Sequence, residues 1–524
     1  VTRPDQVIGE IFGWPRVREA AAALRAHWIA AALLTAGLVL RIVALAAYHP
    51  ALLYTDTLKY LYGAWSGADP LGYAVILKII GLLGGLGTMA AIQHLLGLAM
   101  AVAIYALMIR RGLPRWLAAV AIAPVLLDAY QLQIEQMIMP DVWFEAFVVA
   151  GLVLLLWHPQ PPAWAFGAAG LIFGTSATVR QIGEVLVLPA LLYVAAATTT
   201  RRHAMRSACA LLAAFALPIL VYSTISYTQT GRFQLSDEGS IAGRLAASVD
   251  CTTIYLTSAE RPYCPTPAQQ ARGADWLEHS SQSPLKRAPV PAGMTRGQLI
   301  SAFDSAVEQQ QSVRIVASIL RDSLRIFATT KSALPGVTPI SRWQFQTSYP
   351  TFPPEITLGR DRQIRLGVQV STAQPFVYTT LAPAYGGRAQ VDRPLAAFLR
   401  AYQLHGGYTP GPLLALFALA SLAGSVIAFA GRRFTGRGGD QDREHEVNGL
   451  ALACLLIATS VAGVLLISDI FEFSWRYQLP ALVMLPPAGV LGSWAVWRAL
   501  AKRSVTMTPA AVATVTTAIE PTPV

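Results

Sequence analysis

Apolar runs close to 20 residues long recur along this chain, and a run of that length is what an α-helix needs to cross the hydrocarbon of a bilayer. They fall at 28–48, 87–109, 114–131, 138–157, 162–178, 181–198, 207–227, 411–431, 447–468 and 479–497. The pattern predicts an all-α polytopic membrane protein of about ten spans. Composition agrees, since 54% of the 524 residues are hydrophobic and only 13% are charged, against about 25% charged in a soluble domain. The first run is long enough to span and lacks a small-residue cleavage site, so it reads as a retained helix.

The formal net charge of +11 gathers in short gaps between runs. Arg16, Arg18 and Arg25 precede the first; Arg110, Arg111 and Arg115 follow the second; Arg201, Arg202 and Arg206 follow the sixth; Arg432, Arg433 and Arg437 follow the eighth; Arg498, Lys502 and Arg503 follow the tenth. Clusters so placed mark cytoplasmic loops and put both termini inside, at a bacterial plasma membrane, with no need to invoke nucleic acid. Residues 1–27 are then a cytoplasmic segment, and the Pro-, Thr- and Ala-rich residues 504–524 a disordered cytoplasmic tail.

Facing outward are the first loop, 49–86, two short turns at 132–141 and 178–181, and a hydrophilic insertion, 228–405, between the seventh and eighth spans. In the first loop, "PLGYAVILKIIGLLGG" reads as a helix lying along the interface with Lys78 snorkelling. The insertion is large enough for a small mixed domain with its own core, and 391–405 reads as an amphipathic lead-in to the C-terminal spans at 406–503. Cys251 and Cys264, in "DCTTIYLTSAERPYCP", have no histidines nearby to complete a zinc site; a local disulfide is favoured over free thiols if the segment faces an oxidising compartment. Cys209 and Cys454 fall in apolar runs as small buried hydrophobes.

Charges that break this pattern are the candidates for chemistry. Asp56, in "LLYTDTLKYLY", stands just outside the first span, where it either caps a helix starting at Thr57 or belongs to a site. Glu135 and Asp141, in "YQLQIEQMIMPDVWFEAF", lie at the same membrane face, with Glu145 one turn deeper. Carboxylates inside a span are costly and are functional candidates. Arg180, followed by Glu184, and Arg476, beside Trp475 and Tyr477, are arginines on the side where the charge rule asks for none. Arg476 either anchors a helix end in an aromatic belt or grips a phosphate, whose geometry a guanidinium matches. Arg41, inside the first span, should turn inward to an acid. Lys59, Tyr60, Asp69, Tyr73 and His49 are weaker candidates in the first loop. No phosphate-cradling glycine loop or zinc-protease helix is present at a plausible place.

Together, "YTDTLKYLYGAW", "DPLGYAVILKIIGLL", "EQMIMPDVWFEAF", "ATVRQIGEVLVLPALL" and "WRYQLPALVMLPP" resemble the GT-C superfamily, polytopic glycosyltransferases that use polyprenyl-phosphate sugars. That superfamily includes protein O-mannosyltransferases, aminoarabinose transferases and actinobacterial arabinofuranosyl- and mannosyltransferases. The likeness covers most of 28–227 and 411–497 and stops at the insertion. It implies that Asp56 is the general base on an acceptor hydroxyl, and that Asp141, with Glu135 as the other candidate, shapes the acceptor or a metal site. Arg476, with Arg180 and Tyr477, would hold the donor phosphate, and Lys59, Tyr60, Asp69 and Tyr73 would line the substrate. Asp56 is followed by Thr57 instead of a second acid, and "DPLGY" replaces the family's His-Pro-Pro. A divalent cation is therefore a possible cofactor but not the favoured one.

The expected activity is inverting transfer of a sugar from a polyprenyl-phosphate donor to a hydroxyl of a cell-envelope glycan or glycolipid, at an extracytoplasmic active site. A flippase or transporter of a lipid-linked substrate and a non-catalytic envelope scaffold are the alternatives.

Overall fold

The computed structural model describes residues 22, 25–54, 56–62, 70–198, 200–236, 241–349, 351–352, 376–377, 389–434 and 441–506. Leaving aside single-turn pieces, the first half comprises α1 (Trp28–Ala47), α2 (Thr57–Tyr62), α3 (Gly72–Gly81), α4 (Leu86–Arg110), α5 (Arg115–Leu127), α6 (Ala129–Gln136), α7 (Asp141–Leu156), α8 (Ala163–Val179), α9 (Val187–Ala197) and α10 (Arg201–Thr230). The insertion carries α11 (Ala242–Ser248), α12 (Gly273–His279), α13 (Arg296–Ser323) and α14 (Arg393–Leu404). The chain then closes with α15 (Gly411–Phe434), α16 (Gln441–Phe471) and α17 (Leu479–Thr506). Two short ladders complete it: β1 (Tyr48–His49) with β4 (Gln390–Val391), and β2 (Thr351–Phe352) with β3 (Phe376–Val377), both antiparallel.

The protein is an all-α membrane protein. Helices occupy each predicted run, but among the described residues six are both long and apolar enough to cross a bilayer by themselves: Trp28–Ala47, Leu86–Arg110, Arg201–Thr230, Gly411–Ala428, His445–Phe471 and Trp475–Ala501. A seventh candidate is the pair α5 and α6, bent by 49°. The bend has a local cause. Pro124 lies inside α5, and Asp128 ends that helix and caps the next by accepting from Tyr130 N at 2.9 Å. α10 outruns its prediction because Thr200 caps one end, accepting from His203 N, and Gly231, with φ of 74°, supplies the left-handed turn at the other.

Small residues set the helix spacing, as expected where helices pack without a hydrophobic driving force. A Cβ at Gly174 would stand 2.1 Å from Phe215 O, so α8 lies directly on the α10 backbone. Gly424 of α15 meets Gly492 of α17 in the same way. α5 against α17, and α9 against α16, join the two helix groups. α3 buries Tyr73, Ala74, Leu77 and Ile80 and turns Val75 and Ile79 outward.

The insertion is divided. Leu245, Tyr263, Leu277, Leu299, Phe303 and Val307 build a separate core, and Cys251 is joined to Cys264 at its edge. The rest of the insertion does not belong to that core: Ile326, Trp343, Phe345, Tyr349 and, from α14, Ala396 and Leu399 pack into the main one. A single domain over 228–405 is thus corrected to a small unit and a segment that is part of the main body. The ladder of β1 with β4 and the bond from Asp392 N to Ala47 O at 2.9 Å bring the insertion back to the end of α1. The unit docks through Ser323 Oγ, which donates to Asp469 Oδ2 at 2.7 Å. Of the predicted terminal segments, residues 1–21 and 507–524 lie outside the described residues.

Candidate functional site

Beyond α1 the chain runs alongside the 137–141 turn. Leu52 N donates to Gln136 O at 2.9 Å, and Ile138 N donates to Leu52 O at 3.0 Å. Thr57 then clamps the start of α2, its Oγ1 accepting from Tyr54 N at 2.9 Å and donating to Ile138 O at 3.0 Å. This places Asp56 beside Asp141, the first residue of α7 and fully buried. Arg180 reaches the same point because α8 stops at Val179 and the next residue is extended, with φ of −141°. Gly183 makes the following turn possible, since a Cβ there would stand 2.6 Å from Ala177 N. Arg476 arrives from the single 3-10 turn Trp475–Gln478 that opens α17.

Four separate segments therefore contribute to one cluster. Arg476 Nη1 is 3.3 Å from Asp56 Oδ2, and its Nε is 3.6 Å from Asp141 Oδ1. Arg180 is in close contact with the same Asp141 oxygen. Tyr477 lies under both cations, 4.9 Å from the Arg180 guanidinium and 4.8 Å from that of Arg476. Its hydroxyl accepts from Arg476 Nη2 at 3.1 Å and donates to Glu472 Oε1 at 3.2 Å. Burial, with Asp275 of the small unit adding repulsion, pushes the Glu472 carboxyl up to about 7.

The contacts of Arg476 are slack. A charge-assisted N–H to carboxylate bond normally measures about 2.7–2.9 Å, and at 3.3 and 3.6 Å this guanidinium is held without being saturated. Among the described residues, Arg476 Nε and Asp141 Oδ2 have no hydrogen-bond partner although both are buried. The cluster thus offers donors to an incoming oxyanion and a partly exposed carboxylate beside them. Asp56 and Asp141 face guanidinium groups, a setting that does not fit a divalent cation, and among the described residues no group of His, Cys, Asp and Glu is arranged for one.

The structure puts Glu135 elsewhere. Its carboxylate accepts from Arg41 Nη2 at 2.8 Å and is paired with His94 Nδ1 at 2.9 Å, all three side chains being sealed from solvent. Arg41 also donates to Val125 O and Leu126 O at 3.0 Å, carbonyls whose helical donors the bend before α6 removes. Glu135 therefore holds the bend together and does not meet Asp56. Tyr73 is likewise inside, donating to Gln93 Oε1 at 2.9 Å, with Tyr60 edge-on to it at 5.1 Å. Asp69 and the side chain of Lys59 lie outside the described residues.

One residue beside the cluster carries no sequence signal. Trp343, from the part of the insertion that joins the main core, lies 5.3 Å from the Arg476 guanidinium and packs at 5.1 Å on the ring of Tyr54, which is itself 5.8 Å from that cation. Its "SRWQF" context carries no signal of that role. His94, a costly residue within an apolar run, belongs instead to the cluster at Glu135, its other nitrogen 2.8 Å from Gln136 Oε1.

Compared with protein-family models, with curated proteins and with solved structures, the chain matches none.

Proposed function

We propose that the chain is an inverting glycosyltransferase of the GT-C kind, transferring a sugar from a polyprenyl phosphate to a hydroxyl of a cell-envelope acceptor. The observation that carries this reading is the meeting of Asp56, Arg476, Asp141 and Arg180 from four distant segments. Sugar transfer from a lipid phosphate needs a base for the incoming hydroxyl and positive charge for the departing phosphate. Asp56 and Arg476 supply these in contact, so the donor enters between them. Its phosphate takes the place of Asp56 on Arg476, and the freed carboxylate takes the proton as the acceptor oxygen attacks the anomeric carbon. The bond from that carbon to the phosphate oxygen breaks, and the lipid phosphate leaves against Arg476 and Arg180. Asp141 fixes the two cations; Tyr477 supports them from below.

In this reading the shorter helices α7, α8 and α9 complete the ten spans, the arginine clusters face the cytoplasm, and α3 lies along the outer interface. Short helices suit a site sunk below the outer surface, which a polyprenyl tail reaches from the lipid. The test is transfer of radiolabelled sugar from a panel of synthetic polyprenyl-phosphate sugars by the purified protein, beside Asp56→Ala. Transfer or hydrolysis of one donor, lost in the variant, supports the reading; silence from every donor counts against it. A carrier of lipid-linked substrates is the second reading, because the same ion pairs close the site as a gate would. It predicts donor binding and translocation without bond cleavage.

A further inference from the structure

At the far end of α1, a full helix length of about 30 Å from the site, a cleft of about 590 Å³ opens between the start of α1 and the turn joining α4 to α5. That size is typical of a small-molecule site. Its polar lining is one-sided: His27, Tyr105 and Arg115 contribute, and no lining residue is acidic. His27 Nδ1 is engaged by Tyr105 Oη at 2.7 Å, which fixes the ring and turns its other nitrogen away from the phenol. Among the described residues none forms an ion pair or hydrogen bond with the exposed Arg115 side chain. This contrasts with its neighbours: Arg110 Nε donates to Trp157 O at 2.6 Å and Arg111 Nε to Leu156 O at 2.8 Å.

The cleft's other walls are apolar and face outward. Trp28 and Trp116 are 64% and 57% exposed, at the starts of α1 and α5, which are apolar enough, α5 together with α6, to cross a bilayer. Ile109 closes the inner wall. Paired tryptophans at a helix end mark the level of the lipid headgroups. A cation and an imidazole at that level, above an apolar trough, suit an amphiphile whose anionic head lies at Arg115 and whose chain follows Trp28 and Trp116 into the bilayer. We infer that this cleft is a binding site for the phosphate headgroup of an anionic phospholipid, independent of the chemistry at Asp56.

The test uses the full-length protein, purified in neutral detergent and stripped of lipid, with binding read by native mass spectrometry. Phosphatidylglycerol should bind the wild type about tenfold more tightly than phosphatidylcholine, as expected for one charge-assisted contact. Arg115→Gln should abolish that preference. Arg115→Lys, which keeps the charge and guards against a folding defect in the first variant, should retain part of it. Equal binding of the two lipids, or a preference surviving Arg115→Gln, overturns the inference. So does displacement of phosphatidylglycerol by inorganic phosphate at comparable concentration, which would make this a site for a soluble anion.

Discussion

Arg476 and Asp56, separated by 420 residues of chain, touch across 3.3 Å. Neither belongs to the apolar pattern that builds the helices, and each is engaged a second time, Arg476 leaning on Asp141 and Asp56 standing at the head of α2. Their pairing is partly exposed on the Asp56 side, with 24% of that side chain accessible, so its worth to stability is about 0–1 kcal/mol. Asp56→Asn should therefore leave the melting temperature in detergent nearly unchanged while reducing sugar transfer by about 10²–10⁴-fold. A fall in both together would mean that the carboxylate is structural.

Arg476 is buried between carboxylates, and removing it strands Asp141 with Arg180 alone. Arg476→Gln should cost about 3–5 kcal/mol. Adding Asp141→Asn should recover part of that loss, which thermal denaturation of the single and double variants would measure as a coupling of about 0.5–3 kcal/mol. Strict additivity would show that the two do not interact.

Glu135 answers to Arg41 and His94. Glu135→Gln should lower the yield of folded protein, at a cost of about 3–5 kcal/mol, while the KM for donor in the folded fraction stays close to wild type. Gly97→Ala should give the same phenotype without touching any charge, because a Cβ there would stand 2.1 Å from Glu135 Oε1. Size-exclusion yield and KM, measured side by side, separate the two roles.

In the small unit, burial together with Glu278 and Glu308 pushes the Asp304 carboxyl from 3.8 up to about 7. The folded unit then holds a proton that the unfolded chain releases near pH 4. Stability is greatest below that pH and declines as pH rises to about 7. Hydrogen exchange across 296–323 should quicken between pH 5 and 7.5 after correction for intrinsic rates, and Asp304→Asn should flatten that trend.

The disulfide closes a short loop, with Cys251 and Cys264 separated by 13 positions. Cross-links of that span stabilise by about 3 kcal/mol. Cys251→Ser should make the small unit the first part cut in limited proteolysis, leaving the main bundle intact.

Much of this was legible because the bilayer penalises both a short apolar run and a misplaced charge. An apolar run predicts a helix, and an arginine outside the clustered gaps, such as Arg180, announces a partner. What the run does not encode is how far the helix is straight: α5 breaks at Asp128, and α8 stops at Val179 to release Arg180. The same limit hid Glu135, which stands near Asp141 in sequence but turns to Arg41 once α6 bends. The fate of the insertion was illegible for another reason. Trp343 and Phe345 sit in a polar, Pro-rich stretch whose apolar residues have no period, so only the assembled fold shows which core they join.

The divided insertion bears on how such a protein could be recombined. Residues 241–323 form a cassette with their own core and cross-link, tied at its end by Arg244 to Asp322 at 2.7 Å. A graft that exchanged this cassette would leave the aromatic wall around Arg476 untouched. One that took the whole hydrophilic stretch would remove Trp343, Phe345 and the partner strand of Tyr48–His49 with it. An exchange of this cassette between two chains of this design should therefore be cut just before Ile326, because the hydrophilic residues beyond that point are built into the same scaffold as Arg476.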